Sequence, residues 1–263
     1  MTPSPDQLRQ YDTEGFFITS SLFDPTFTSH VSSEMDTFWN AEIERTGGPG
    51  VDRHPAGQPG FMISPSLRNS VVGDIFRRQE LVHVYVKLLG PDLDLNYEQI
   101  VLKYPHRGPG APAYQFAFHQ DNYYALRGGD GENWDETIHL DPRKSAQGWM
   151  AFSETTLANG TLFTLPGAHR FGLLEHNRDT PAGYDCAIDP RIDVSKKIPV
   201  LLQPGQLLVF SGLLPHGSGA NVSDTARKII QFSISIPGGR AAPFASSFAR
   251  GGRAVYSPGL HRP

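Results

Sequence analysis

A histidine two residues before an aspartate can form half of a metal site, because side chains at i and i+2 of a strand point to one side and can share an ion. With 10 histidines in 263 residues, chance alone expects fewer than one such triplet, yet two occur, His119-Gln120-Asp121 and His139-Leu140-Asp141. Their surroundings separate them. Tyr114, Phe116 and Phe118 alternate with Gln115, Ala117 and His119. This two-faced pattern predicts a strand over 114–124 with His119, Asp121 and Tyr123 on one side. His139 lies among polar residues just before Pro142, which predicts a loop and an ordinary surface histidine.

Two protein ligands hold a divalent ion poorly, so a third is expected from a distant strand. His216 follows the apolar run Leu207 to Phe210, within Leu213-Leu214-Pro215-His216-Gly217-Ser218-Gly219. Two imidazoles and one carboxylate leave half of an octahedron open, which suits iron(II) and dioxygen chemistry. An isolated histidine in such a loop is more often a cap or faces solvent. Arg227 bears on that choice. From Arg227 to Ile236, Ile230, Phe232, Ile234 and Ile236 form one face, while Arg227, Gln231, Ser233 and Ser235 form the other. If the polar face lines a barrel interior, the guanidinium needs an anion, and its planar fork pairs best with a carboxylate.

Strands are needed to bring these residues together, and the pattern supplies them after a helical start. Phe27, Val31, Met35 and Phe38 recur at helical spacing behind Asp24-Pro25, predicting a helix over 25–45; a second is expected over 66–89. The Gly- and Pro-rich stretch 46–65 between them is expected to be a surface loop, a candidate lid. After Gly90 the period falls to two. Strands are expected near 97–104, 114–124, 148–154, 161–165, 197–202, 207–211 and 227–236, with long connections over 104–113 and 127–147. Short strands after helices suggest a double-layered β barrel with helices outside one sheet. The chain is expected to be one domain, helical over about 1–90, barrel over about 91–240, with a tail over 241–263.

Composition limits the partners. Hydrophobic residues make up 38% and charged residues 19%, enough apolar material for a packed interior and too little charge for a disordered chain. The net charge is -4 with scattered Lys and Arg, so no nucleic-acid partner is expected. Cys186 is the only cysteine, which rules out an intrachain disulfide and a cysteine-rich zinc site. No apolar run reaches the length that spans a bilayer. A cytoplasmic protein without a membrane partner is expected; oligomeric state is not legible.

Taken together these segments resemble the phytanoyl-CoA dioxygenase family of iron(II)/2-oxoglutarate oxygenases, from about Leu8 to Pro237. The likeness rests on Tyr11-Asp12-Thr13-Glu14-Gly15-Phe16-Phe17, His119-Gln120-Asp121, Asn159-Gly160-Thr161-Leu162, Leu165-Pro166-Gly167-Ala168-His169-Arg170, and His216-Gly217-Ser218-Gly219-Ala220-Asn221 leading to Arg227. Ala168 departs from the commoner Ser or Thr. The resemblance implies a double-stranded β-helix (jelly roll, cupin-like) with N-terminal helices on its outer sheet, iron(II) held by His119, Asp121 and His216, and 2-oxoglutarate and O2 as cosubstrates. It also implies that Arg227 and Ser218 hold the distal carboxylate of 2-oxoglutarate, with Gln99, Lys103 and Trp149 beside the cosubstrate, and a structural His169.

By the same likeness the expected reaction is hydroxylation of a C–H bond in a small molecule of specialised metabolism, with release of succinate and CO2. Desaturation, cyclisation and epimerisation use the same cofactors. Halogenation is disfavoured, since halogenating relatives replace the carboxylate that Asp121 supplies. Tyr123, Tyr124, Met150, Arg170, Phe61, His106 and Arg107 are candidates to line the substrate approach. No basic cluster marks the phosphates of a CoA ester, which favours a free small molecule. Two other readings are a non-catalytic jelly-roll binding protein and a zinc hydrolase with the same ligands; the second gives Arg227 no task.

Overall fold

The computed structural model describes residues 2–46, 60–105, 115–128, 131–177 and 185–257. The chain opens with a self-capped helix, α1 (Pro5–Glu14). The Gln7 amide N–H donates to Ser4 Oγ (3.2 Å), and the Ser4 N–H donates to Gln7 Oε1 (2.9 Å), so both orphan donors are satisfied. Gly15, at φ 88°, ends the helix in a left-handed conformation, and β1 (Phe16–Ile18) follows. The expected helix over 25–45 is α2 (Pro25–Thr46). A short strand, β2 (Gly60–Ile63), comes next. The expected helix over 66–89 is two, α3 (Ser70–Arg77) and α4 (Gln79–Leu89), because Arg78 is extended at ψ 124°. Asn69 caps α3 by accepting from the Val72 N–H.

From Leu93 onward the chain is mainly strand: β3 (Leu93–Lys103), β4 (Phe116–His119), then the helices α5 (Asp121–Arg127) and α6 (Glu136–His139). They are followed by β5 (Ser145–Ala151), β6 (Leu162–Thr164), β7 (Ile198–Val200), β8 (Leu207–Phe210), β9 (His216–Ser218), β10 (Arg227–Ser235), β11 (Ser246–Arg250) and β12 (Arg253–Ala254). A large antiparallel sheet runs β1-β8-β5-β10-β3-β11-β12, with β2 also on β3; a smaller one runs β4-β9-β6-β7. These are the two curled sheets of a jelly roll.

The two faces of the large sheet do different things. Even positions of β10 (Ile230, Phe232, Ile234) join Ile100, Leu102, Phe76 and Tyr85 in a core beneath the helices. Odd positions of β3, β5 and β10 (Val101, Trp149, Ala151, Ile229) join Leu162 and Val200 of the small sheet in a second core between the sheets. The register is fixed by direct pairing, Arg227 with Lys103 and Gln231 with Gln99.

Two expectations are corrected. Residues 241–263 are not a tail throughout: β11 pairs with β3 and buries Phe248 and Ala249 completely, worth roughly 1.5–3 kcal/mol for the phenylalanine ring alone. His139 is not a surface histidine. It closes α6, is fully buried against Trp134 (ring centroids 4.9 Å apart), and has Nε2 2.8 Å from the Gly239 carbonyl. Burial pushes its pKa down to about 4. Of the expected surface loop and candidate lid over 46–65, residues 60–63 are instead β2, paired with β3 with Met62 buried; its residues 47–59, together with His106, Arg107 and Tyr114, lie outside the described residues. Among the described residues, no helix is long and apolar enough to cross a membrane.

Candidate metal and cosubstrate site

His119 ends β4 and His216 begins β9, and the two are direct cross-strand partners. Their ring centroids are 4.4 Å apart. Each Nδ1 faces the carbonyl two residues upstream, Ala117 at 2.8 Å and Leu214 at 3.0 Å. An N–H donated there leaves the Nε2 lone pair for a ligand, the usual way that an outer hydrogen bond fixes a metal-binding tautomer. Asp121 arrives differently from expectation: the strand stops at His119, and Asp121 is the first residue of α5. The junction is held by Gln120, fully buried, whose side-chain amide donates to Gly172 O (2.8 Å) and Leu213 O (2.6 Å) and accepts from the Leu174 N–H (2.8 Å). Asp121 Oδ1 comes to 3.7 Å from His119 Nε2 and 3.5 Å from His216 Nε2. All three ligand atoms lie within 4.8 Å of one another. Burial alone would raise the Asp121 pKa, but His216 and His119 hold the carboxyl well below the usual range. Burial would likewise lower His216, and the facing Asp121 carboxylate raises it instead. Two imidazole nitrogens and one carboxylate oxygen could hold iron(II) with half its octahedron free.

The other end of the site is cationic. Arg227 and Lys103 are each 1% exposed. The Arg227 Nη1–H donates to the Gly160 carbonyl, Cζ lies 4.8 Å from the Trp149 ring centroid, and Nε has no partner. Lys103 Nζ donates to Ser218 Oγ (2.6 Å) and Gly219 O (2.5 Å). Burial lowers the pKa of both, and Arg227 lowers Lys103 further. Gly160 has to be glycine here: its φ is 75°, and a Cβ would lie 2.5 Å from Gly219 O and 2.8 Å from Lys103 Cδ. Two buried cations and an orphaned guanidinium N–H are expensive without an anion. Arg227 and Ser218 line the cavity, while Lys103 reaches it only through Ser218 Oγ; a carboxylate bound at this end would compensate the buried positive charge, so the residues present fit a dicarboxylate that reaches from here toward the histidines.

The profile of phytanoyl-CoA dioxygenases matches residues 15–229. The chain belongs to that family. A similar curated protein is phytanoyl-CoA dioxygenase 1 of Oryza sativa, 27% identical over 44% of this chain and only 37% of that protein. Among solved structures, the non-heme monooxygenase ThoJ aligns at TM-score 0.69 and 25% identity, over 93% of this chain and 80% of that one. The epimerase SnoN, solved with Fe3+, alpha ketoglutarate and nogalamycin RO, aligns at TM-score 0.69 and 15% identity, over 98% and 91%. That second likeness is one of fold.

In this family member a cavity of about 580 Å³ joins the two ends. Gln99, Trp149, Ser218 and Arg227 line it, together with the metal-site triad. Among the candidates for the substrate approach, Phe61 and Tyr124 line it as well. The Tyr124 ring stands edge-on to His119 with centroids 5.2 Å apart. Tyr123 does not. The change from strand to helix at Asp121 turns it away, and it stacks on His176 at 3.8 Å. Met150 is an even position of β5 and lies in the core under the helices, while Arg170 is exposed on a short turn away from the cavity. Sequence reasoning placed Gln231 on the polar face of β10 but gave it no role. Its Nε2 donates to Asp121 Oδ2 (2.9 Å). Gln99 Nε2 in turn donates to Gln231 Oε1 (2.7 Å). Trp134 and Tyr97, also in the cavity wall, had no signal beyond aromatic character.

Proposed function

We propose that the protein oxidises a C–H bond of a small, largely apolar molecule, with hydroxylation as the outcome, while 2-oxoglutarate is converted to succinate and CO2. The observation that carries this reading is the convergence of His119, Asp121 and His216 at one end of a cavity whose other end holds the buried Arg227. His119, Asp121 and His216 are the metal ligands in this reading. When bound, iron(II) supplies dioxygen activation coupled to oxidative decarboxylation of 2-oxoglutarate. The remaining work belongs to the chain. Arg227 pairs the distal carboxylate, the Ser218 hydroxyl donates to it, and Lys103 orients that hydroxyl and adds positive charge. Trp149 presses on the guanidinium and excludes water from the anchor. Phe61, Phe116, Tyr124 and Trp134 form the wall that a substrate must touch, and their apolar surface favours a free small molecule over a charged CoA ester.

The fold-level likeness to the epimerase SnoN supports a second reading with the same cofactors, in which the product is an epimer, alkene or ring. The mass of the product separates this from hydroxylation. The primary test is succinate formation with iron(II), ascorbate and 2-oxoglutarate in the wild type and His119→Ala, run over a panel of candidate substrates. We expect substrate-stimulated succinate in the wild type and none in the variant. An anaerobic absorption band that appears when 2-oxoglutarate is added to the iron(II) protein, and is lost in His119→Ala, is the companion measurement. Wild-type protein with neither the band nor succinate would defeat the assignment and favour a binding protein or a zinc enzyme.

A further inference from the structure

A carboxylate has two oxygens, and the protein treats those of Asp121 differently. Oδ1 faces both histidine Nε2 atoms. Oδ2 turns away and accepts from Gln231 Nε2 at 2.9 Å. Because an ionised carboxylate only accepts, the Gln231 group facing it must be the NH2. Its Oε1 then faces Gln99, whose NH2 donates at 2.7 Å. The charge on Asp121 therefore sets the direction of the whole chain of donors. Gln231 and Gln99 are direct cross-strand partners on β10 and β3, and Trp149 on β5 is paired to Gln231 on its other side, so the two amides stand side by side on one face of the sheet.

We infer that Gln231, held by Gln99, is a positioning residue that fixes Asp121 as a one-oxygen metal ligand and so keeps a coordination position open. Turning Oδ2 onto the metal breaks the Gln231 bond, so that bond favours one-oxygen ligation. A two-oxygen carboxylate also takes a position that the 2-oxo acid or dioxygen needs. Gln99 acts only through Gln231 in this scheme. The inference rests on the metal reading above, and the test separates the two.

The experiment is a cobalt(II) titration of the purified full chain without cosubstrate, read by the d–d absorption bands, which report affinity and coordination geometry independently of turnover. Gln231→Met keeps the volume and removes the donor. We expect it to weaken cobalt binding by about 10- to 100-fold and to change the position and intensity of the bands, with an unchanged melting transition. Gln99→Met should give a smaller loss in the wild-type background and no further loss in the Gln231→Met background, since it acts through the missing group. Wild-type affinity and bands in Gln231→Met overturn the inference, as does an equal loss from Gln99→Met in both backgrounds. Should Gln231→Met fail to fold, Gln99→Met carries the test, and an unchanged affinity and spectrum there overturns the relay. Wild-type bands that survive His119→Ala overturn the metal assignment itself, and the relay with it.

Discussion

Glu98 carries a pH-dependent penalty that can be worked out from its surroundings. It is an even position of β3, 4% exposed, on the face away from the cavity. Oε1 accepts from Ser66 N–H (3.2 Å) and Oγ–H (2.6 Å), and Oε2 has no partner. Burial raises its pKa from 4.5 to about 7, offset only in part by Ser66 and Arg68. The folded state thus keeps a proton that the unfolded chain gives up, so the stability tied to Glu98 is complete below about pH 4.5 and is lost as pH rises through about 7. At ~1.4 kcal/mol per pH unit between those two values, ionisation removes about 1 kcal/mol by pH 5, about 2 by pH 6 and about 3 by pH 8. Glu98→Gln keeps an acceptor for Ser66 and cannot ionise. Urea denaturation of the wild type and Glu98→Gln across pH 5–8 isolates the effect, because every other titrating group is common to both. The variant should gain about 2 kcal/mol on the wild type over that range. A difference that stays flat, or runs the other way, refutes the reasoning.

Two further outcomes follow from the cationic end of the cavity. Arg227→Met should weaken 2-oxoglutarate binding on the order of 10²- to 10³-fold, since it leaves a buried carboxylate without its partner; without cosubstrate the same variant should melt at a higher temperature, because an uncompensated buried cation is gone. Cosubstrate titration by the anaerobic absorption band and thermal melts with and without 2-oxoglutarate check both signs. Gly160→Ala forces a Cβ at φ 75° against Gly219 O and Lys103 Cδ, and should destabilise by about 1–3 kcal/mol, read as a fall of several degrees in Tm, together with weaker cosubstrate binding.

Much of this was legible because it is local or periodic. The alternation of β10 separates Ile230, Phe232 and Ile234 from Arg227, Gln231 and Ser233, and the helix over 25–46 follows its apolar spacing. Helix α1 carries an equally local signal, Ser4, Pro5 and Gln7 at one end and Gly15 at the other. The strand over 114–124 was read too long for a physical reason. Asp121 satisfies the i, i+2 rule for a strand and also the preference for an acid in the first turn of a helix. The second prevails because Gln120 is anchored to Gly172, Leu213 and Leu174, partners 52, 93 and 54 residues away. His139 was misplaced for the same kind of reason, since its carbonyl partner Gly239 is 100 residues distant. The pairing of β11 with β3 is also long-range and left no periodic mark on so short a strand.

The chemistry on one face of the large sheet depends on the packing of the other. The cation pair Arg227/Lys103 and the amide pair Gln231/Gln99 recur four residues apart on the same two strands, a separation of roughly 13 Å along the strand direction. A slip of one residue between β10 and β3 would turn one member of each pair out of the cavity and toward the helices, because side chains alternate faces. Nothing in the polar face can prevent that: amides and cations reward any nearby partner. The constraint comes from Ile230, Phe232 and Ile234, which fit against Ile100, Leu102, Phe76 and Tyr85 in one register, with the Phe76 and Phe232 rings edge-on at 5.4 Å. The spacing between the anion anchor and the carboxylate relay is therefore set by hydrophobic contacts that touch neither, and a mutation in that buried apolar layer can disturb cosubstrate geometry without altering any residue in the cavity.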